Sequence, residues 1–371
     1  MRKTAALFGV MALIAAACIG CGNKNDGGNS SKKVTEPAKE ATMTPTAEAT
    51  PTAEATPMGE ATATPEATPT QEATPTPEAT ATPKPTNTPT PTPGPDENGM
   101  YAKCPSDYLK KRDGVTYGKF EHGTYYSEYC KRERGYTVVL PADYTPEKKY
   151  PVVYLLHGVM GDENSFAGDS SIPILLGNMF ADGLCREFIL VCPAMFAAGE
   201  DTVQAPAFTG EGLMPYDRFP KELVDCLMPY INETYSTITG REGTYIGGFS
   251  MGGRETLYSY LSYPDLFRIV CVISPAPGLV PGKDFIMTHP GTLQEDEVVI
   301  ADGTKVADKV IICCGTNDSV VGKFPKGYHE LFEKNGIAHI WYEVPGADHD
   351  NTAIHSGLYN FLATIGVDSA E

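Results

Sequence analysis

The chain has 371 residues and a formal net charge of −18, a balance that excludes nucleic acid as an expected partner. Its residue types are distributed unevenly, so the length does not imply two folded domains. Three stretches of different character follow one another: 1–21, 22–99 and 100–371.

The first opens with Arg2 and Lys3 and continues as an apolar run from Ala5 to Ile19. That run is about 15 residues long, short of the roughly 20 a membrane-spanning helix needs, and it reads as an export signal. The sequence Ala17-Cys18-Ile19-Gly20-Cys21-Gly22 then resembles the lipobox of bacterial lipoproteins. The resemblance implies cleavage before a cysteine that carries lipid and holds the protein on the outer face of the cell membrane. Cys21 is the expected anchor, with Cys18 as the alternative; an ordinary cleaved signal with incidental cysteines is the competing reading.

From roughly Lys32 to Asn98 the chain is dominated by Thr, Pro, Ala and Glu, with a six-residue repeat marked by Pro45, Pro51 and Pro57. No repeat carries a hydrophobic face, so the segment reads as an extended or disordered spacer instead of a solenoid. At about 3.1 Å per residue for Pro-rich chain, it would reach up to roughly 200 Å.

The remaining 270 or so residues suit one large α/β domain. Eight cysteines fall here, none in a C-x-x-C pair, so zinc is not expected. Most read as small buried apolar residues, and Cys104 with Cys130 is a possible disulfide. Apolar runs at 151–156, 188–192, 244–248, 269–273, 310–314 and 340–344 read as strands buried on both faces. Helical stretches are expected at 174–181, 219–235, 252–262, 329–335 and 353–364. This alternation predicts a mostly parallel central sheet with helices on both faces, the α/β-hydrolase arrangement. Segments near 118–126 and 137–140 add antiparallel strands at the leading edge.

Gly248-Phe249-Ser250-Met251-Gly252 falls between an expected strand and the helix after it, where a nucleophile elbow belongs. Ser250 is the expected nucleophile of a serine esterase. A serine hydroxyl needs a base, and the base a third group to orient it. Asp318 follows the strand ending at Cys314 and is the expected acid. His349 lies on the loop after the last strand and is the expected base, ahead of His355 (placed on the surface of the closing helix), His329 (opening an earlier helix) and His289 (after an irregular loop). Asp348 and Asp350 read as turn or cap residues. The oxyanion donors are expected to be the backbone N–H groups of Met251 and Val159. His157 reads as a hydrogen-bonded residue shaping the Val159 loop. The triad and oxyanion hole call for no metal or organic cofactor.

Together the runs at 154–161, 227–232, 248–253, 314–319 and 357–361 resemble carbohydrate esterase family 1, the group of bacterial feruloyl esterases and some acetylxylan esterases, related to S-formylglutathione hydrolase. The resemblance implies Ser250, Asp318 and His349 as the triad. It also implies hydrolysis of feruloyl or acetyl groups on plant cell-wall xylan, with a general carboxylesterase or thioesterase and a non-catalytic binding protein as the alternatives. Two departures stand out. The family's Gly-Gly-Gly-His-Asp run is Gly346-Ala347-Asp348-His349-Asp350 here, and Ile354 stands where a substrate-facing tryptophan is expected. Trp341, the chain's single tryptophan, reads as core. Phe208, Met214 and Tyr216, in a Gly- and Pro-rich loop, are candidates for an acyl pocket.

Overall fold

The structure is a computed structural model that describes residues 94–366. The expected export signal, Cys18, Cys21 and the Thr/Pro repeats lie outside the described residues.

Eight strands form one sheet in the spatial order β1-β2-β4-β3-β5-β6-β9-β10. These are β1 (Phe120–Ser127), β2 (Arg132–Val139), β3 (Val152–Leu156), β4 (Ile189–Pro193), β5 (Thr244–Phe249), β6 (Ile269–Ile273), β9 (Lys309–Gly315) and β10 (Ile340–Val344). A separate hairpin joins β7 (Gly282–Lys283) and β8 (Thr288–His289). Within the eight-stranded sheet the β1–β2 and β2–β4 pairings are antiparallel, and the β4–β3, β3–β5, β5–β6, β6–β9 and β9–β10 pairings are parallel.

The uninterrupted apolar runs have a simple cause. Successive residues of a strand point to opposite faces, and both faces here are covered. Val152, Tyr154, Leu156, Ile246, Val270, Val272 and Ile312 enter one core. Their neighbours Val153, Leu155, Tyr245, Cys271, Ile273, Ile311 and Cys313 enter the other. Helices α1 (Ser171–Ala181) and α7 (Asn351–Ala363) cover the second core through Leu175, Met179, Leu358 and Phe361. The first core takes side chains from α2 (Gly210–Asp217), α3 (Phe219–Glu222), α4 (Met228–Thr234), α5 (Met251–Ser262) and α6 (Phe324–Lys334).

Three local expectations are corrected. The Gly- and Pro-rich segment around Met214 is helix α2; Thr209 caps it by accepting the Gly212 N–H at 3.0 Å, which outweighs the poor helix propensity of its glycines. The stretch 219–235 is not one α-helix, because residues Leu223–Leu227 form a π-helical turn in which the Met228 N–H reaches Leu223 O. Pro229 follows at once and has no N–H to give to Asp225, so the α-helical ladder is already broken there. Helix α6 starts five residues before His329, with Pro325 in its first turn, a position where proline is favoured. All eight cysteines among the described residues are free, so Cys104 and Cys130 do not pair. They belong to opposite sides of the sheet, Cys130 buried in one core and Cys104 packed on the other.

Candidate active site

Parallel pairing brings the C-terminal ends of the central strands to one edge. Leu156 of β3 pairs with Gly248 of β5, Phe249 with Ile273 of β6, Ile273 with Cys313 of β9, and Gly315 with Val344 of β10. The loops that leave this edge carry Val159, Ser250, Asp318 and His349.

Ser250 is the N-cap of α5 and has φ 58° and ψ −118°, a backbone region L-residues rarely occupy. The tight approach around it accepts no side chains. A Cβ on Gly252 would lie 2.1 Å from Leu156 O, and one on Gly248 would lie 2.2 Å from Gly252 O. Three hydrogen bonds hold the strained turn. Its N–H donates to Ile273 O at 3.0 Å, and its carbonyl accepts the N–H groups of Arg254 and Ala276.

His349 Nδ1 lies 2.9 Å from Asp318 Oδ2, and both side chains are almost fully buried. Asp318 Oδ1 accepts the N–H groups of Val320 and Val321 at 3.1 and 3.0 Å. Burial pushes the Asp318 carboxyl up, but the bond to His349, its charge and the backbone donors together hold it below the ordinary aspartate value. An ionised Asp318 accepts Nδ1–H, which leaves the lone pair of neutral His349 on Nε2, the nitrogen a base would use. The His349 ring packs on Phe249, with centroids 4.3 Å apart. Asp348 accepts the N–H groups of Ser319 and His349, and Asp350 caps α7 through Thr352 and Ala353, so both act on the loop backbone.

Ser250 and His349 line one cavity, together with Val159 and Met251. The Val159 N–H has no acceptor among the described residues. The next N–H along, that of Met160, is taken by the Tyr216 hydroxyl at 2.8 Å. His157 fixes the loop from below: one ring nitrogen, Nδ1, donates to Gly158 O at 2.7 Å, and Nε2 accepts the Met195 N–H at 3.1 Å. Both ring nitrogens are thus committed, and burial lowers this imidazole to a pKa of about 4.

The rest of the cavity wall is apolar apart from Asp284 and His289. Phe208 lines it as expected, joined by Leu213, Ile286, Met287, Val320 and Val321. Met214 and Tyr216 do not line it. Met214 points outward with 54% of its surface exposed, and Tyr216 is buried beneath the Met160 loop. Helical phasing explains this, since α2 turns Leu213 inward and its neighbour away. Ile354 does not line this cavity either; with Phe249 and Asp169 it lines a second one, shared with His157 and Gly158.

The remaining histidines are placed differently from expectation. His355 is buried, not on the surface of α7, and its Nε2 lies 2.6 Å from Asp169 Oδ2. His329 is in the body of α6, bonded to His339 and stacked on Trp341, which is half-buried on the edge strand. His289, the least favoured as a base, sits in the hairpin and forms the cavity wall with Asp284.

A model of the esterase family, described as "Putative esterase", matches residues 127–353. A CE1 ferulic acid esterase from Anaeromyces mucronatus, solved in complex with ferulic acid, is 44% identical. It superposes with a TM-score of 0.68 over 72% of this chain and 98% of that one. The chain belongs to the esterase family, in carbohydrate esterase family 1. It is also 28% identical over 166 residues to an endo-1,4-beta-xylanase/feruloyl esterase of Xylanibacter ruminicola and 30% identical over 170 residues to endo-1,4-beta-xylanase Y of Acetivibrio thermocellus. Each match covers 43% of this chain but only 22% and 14% of those longer proteins. A feruloyl esterase module from Clostridium thermocellum, 20% identical with a TM-score of 0.54, shares the fold.

Proposed function

We propose that this protein is a feruloyl esterase, a serine hydrolase that removes ferulate from the sugar side groups of plant cell-wall xylan. The observation that carries the reading is the 44% identity to a ferulic acid esterase along 98% of its length, with Ser250 and His349 on one mostly apolar cavity here. In this mechanism Ser250 Oγ attacks the ester carbonyl and passes its proton to His349 Nε2. The oxyanion forms against the N–H groups of Val159 and Met251. His349 then protonates the departing sugar oxygen, leaving an acyl-enzyme. Water, deprotonated by the same histidine, attacks the acyl carbon, frees ferulate and restores Ser250.

The cavity favours an aromatic acyl group over acetate, because an acetyl methyl would leave most of its apolar wall unfilled. The test is release of ferulate from methyl ferulate. Wild-type protein turns over and is labelled by a fluorophosphonate, and Ser250→Ala does neither. Retained turnover in Ser250→Ala overturns the assignment of the nucleophile, while an unlabelled, inactive wild type favours a binding protein on a hydrolase scaffold.

The same reading places the enzyme outside a bacterial cell, tethered by lipid on Cys21 with residues 22–99 as the spacer toward the polymer. What supports it is the lipobox-like run and the repeat composition alone. Cys21→Ala should move the protein from the membrane fraction to the medium; unchanged membrane retention leaves Cys18 as the anchor.

A further inference from the structure

Apart from Ser250 and His349, the side chains lining the cavity are apolar with one exception, the pair Asp284–His289. This is a second Asp–His pair, on the cavity that His349 also lines, and the ester chemistry above makes no use of it. Asp284 is rigidly held, since its Oδ1 accepts the N–H groups of Ile286 and Met287, each at 2.7 Å. Its Oδ2 lies 2.9 Å from His289 Nε2. A carboxylate only accepts, so Nε2 carries the hydrogen and the lone pair of a neutral ring is on Nδ1. That nitrogen has no hydrogen-bond partner among the described residues, although His289 is only 5% exposed, and it is not among the sealed unpaired atoms. Gly278, at φ 107°, lies beside it, and a Cβ there would sit 3.0 Å from Nδ1 and 3.1 Å from Arg254 Nη1.

An acceptor nitrogen of fixed tautomer, set in an otherwise apolar wall, matches an aromatic acyl group that carries a hydroxyl. From this geometry we infer that His289 reads the phenolic hydroxyl of the acyl group, with Asp284 fixing which ring nitrogen is presented. The proposal rests on the feruloyl esterase reading and narrows it: esters of hydroxylated cinnamic acids are preferred over the same acids without the hydroxyl. The hydroxyl-bearing ester gains a hydrogen bond, and the hydroxyl-free one leaves a buried acceptor unpaired.

The experiment compares kcat/KM for methyl ferulate and methyl 3-methoxycinnamate, which differ only in the 4-hydroxyl. Wild-type enzyme should favour methyl ferulate by about tenfold or more. His289→Leu should bring that ratio near one, and His289→Asn, which keeps a polar atom near the Nδ1 position, should recover part of it. Asp284→Asn should lower the ratio as well, with circular dichroism reporting that each variant is folded. A wild-type ratio near one, or a His289→Leu ratio equal to that of wild type, overturns the assignment of His289 and leaves the esterase reading intact. A wild-type protein that hydrolyses neither ester overturns the esterase reading and the proposal with it.

Discussion

His349 Nδ1 and Asp318 Oδ2 stand 2.9 Å apart at the ends of neighbouring strands, with the carboxylate's other oxygen held by two backbone N–H groups. Asp318 thus has a single orientation and presents one acceptor to one nitrogen. Replacing it by Asn keeps the shape but offers an amide in place of an acceptor, which favours the tautomer with its hydrogen on Nε2. Asp318→Asn should lower kcat on methyl ferulate by about 10³- to 10⁴-fold with a much smaller change in KM. A loss below tenfold would show that another group orients the base.

Ser250 predicts a trade between stability and activity. Its φ of 58° suits glycine, and a strained non-glycine residue costs about 1–3 kcal/mol. Ser250→Gly should therefore abolish hydrolysis while raising the midpoint of urea unfolding. A midpoint at or below wild type would mean that the hydroxyl's contacts outweigh the relief of strain.

His157 predicts acid sensitivity. The unfolded ring takes up a proton near pH 6.5 and the folded ring only near pH 4, so between these values the unfolded state binds more protons. Stability contributed by the neutral buried ring is therefore complete above pH 6.5 and falls as pH drops toward 4, by up to about 3 kcal/mol. Chemical denaturation at pH 7, 5.5 and 4.5 should show a steeper decline for wild type than for His157→Gln. Parallel pH curves would rule His157 out as the source. The Asp318 carboxylate, held low, is lost only below the ordinary aspartate range, so the two windows separate.

Asp169 and His355 join the loop before α1 to α7 across 186 residues of sequence. Removing one partner leaves the other poorly solvated. His355→Leu should cost about 2–4 kcal/mol, read as a lower unfolding midpoint, with Asp169→Asn costing less because an amide can still bond the ring. Equal midpoints for wild type and His355→Leu would show the pair to be energetically idle.

Much of the fold and the core of the candidate site were legible in the sequence because they rest on local physics. A strand covered on both faces must be apolar at every position, and Ile269–Ile273 or Val310–Cys314 can be read on that ground alone. The elbow is equally local, since only glycine fits at 248 and 252 when β5 turns straight into a helix. Asp318 and His349 were reachable because a parallel sheet sends the ends of its strands to one edge. Helix α2 was hidden by glycines and a proline, and its start depends on one cap hydrogen bond from Thr209.

Other features depend on partners far away in the chain, and no local pattern signals them. Nothing around His355 announces Asp169, and nothing around His289 announces a cavity whose other walls come from Val159, Leu213 and Val320. The sequence by itself determined where Ser250 would stand and which two residues would lie near it, because sharp turns and buried strands admit few residue types. Only the tertiary structure decided that Leu213 lines the cavity beside Ser250 while Met214 faces solvent, and that a second Asp–His pair forms part of its wall. The hydrogen bonds and apolar contacts responsible act across segments that meet only when the sheet and its helices have packed.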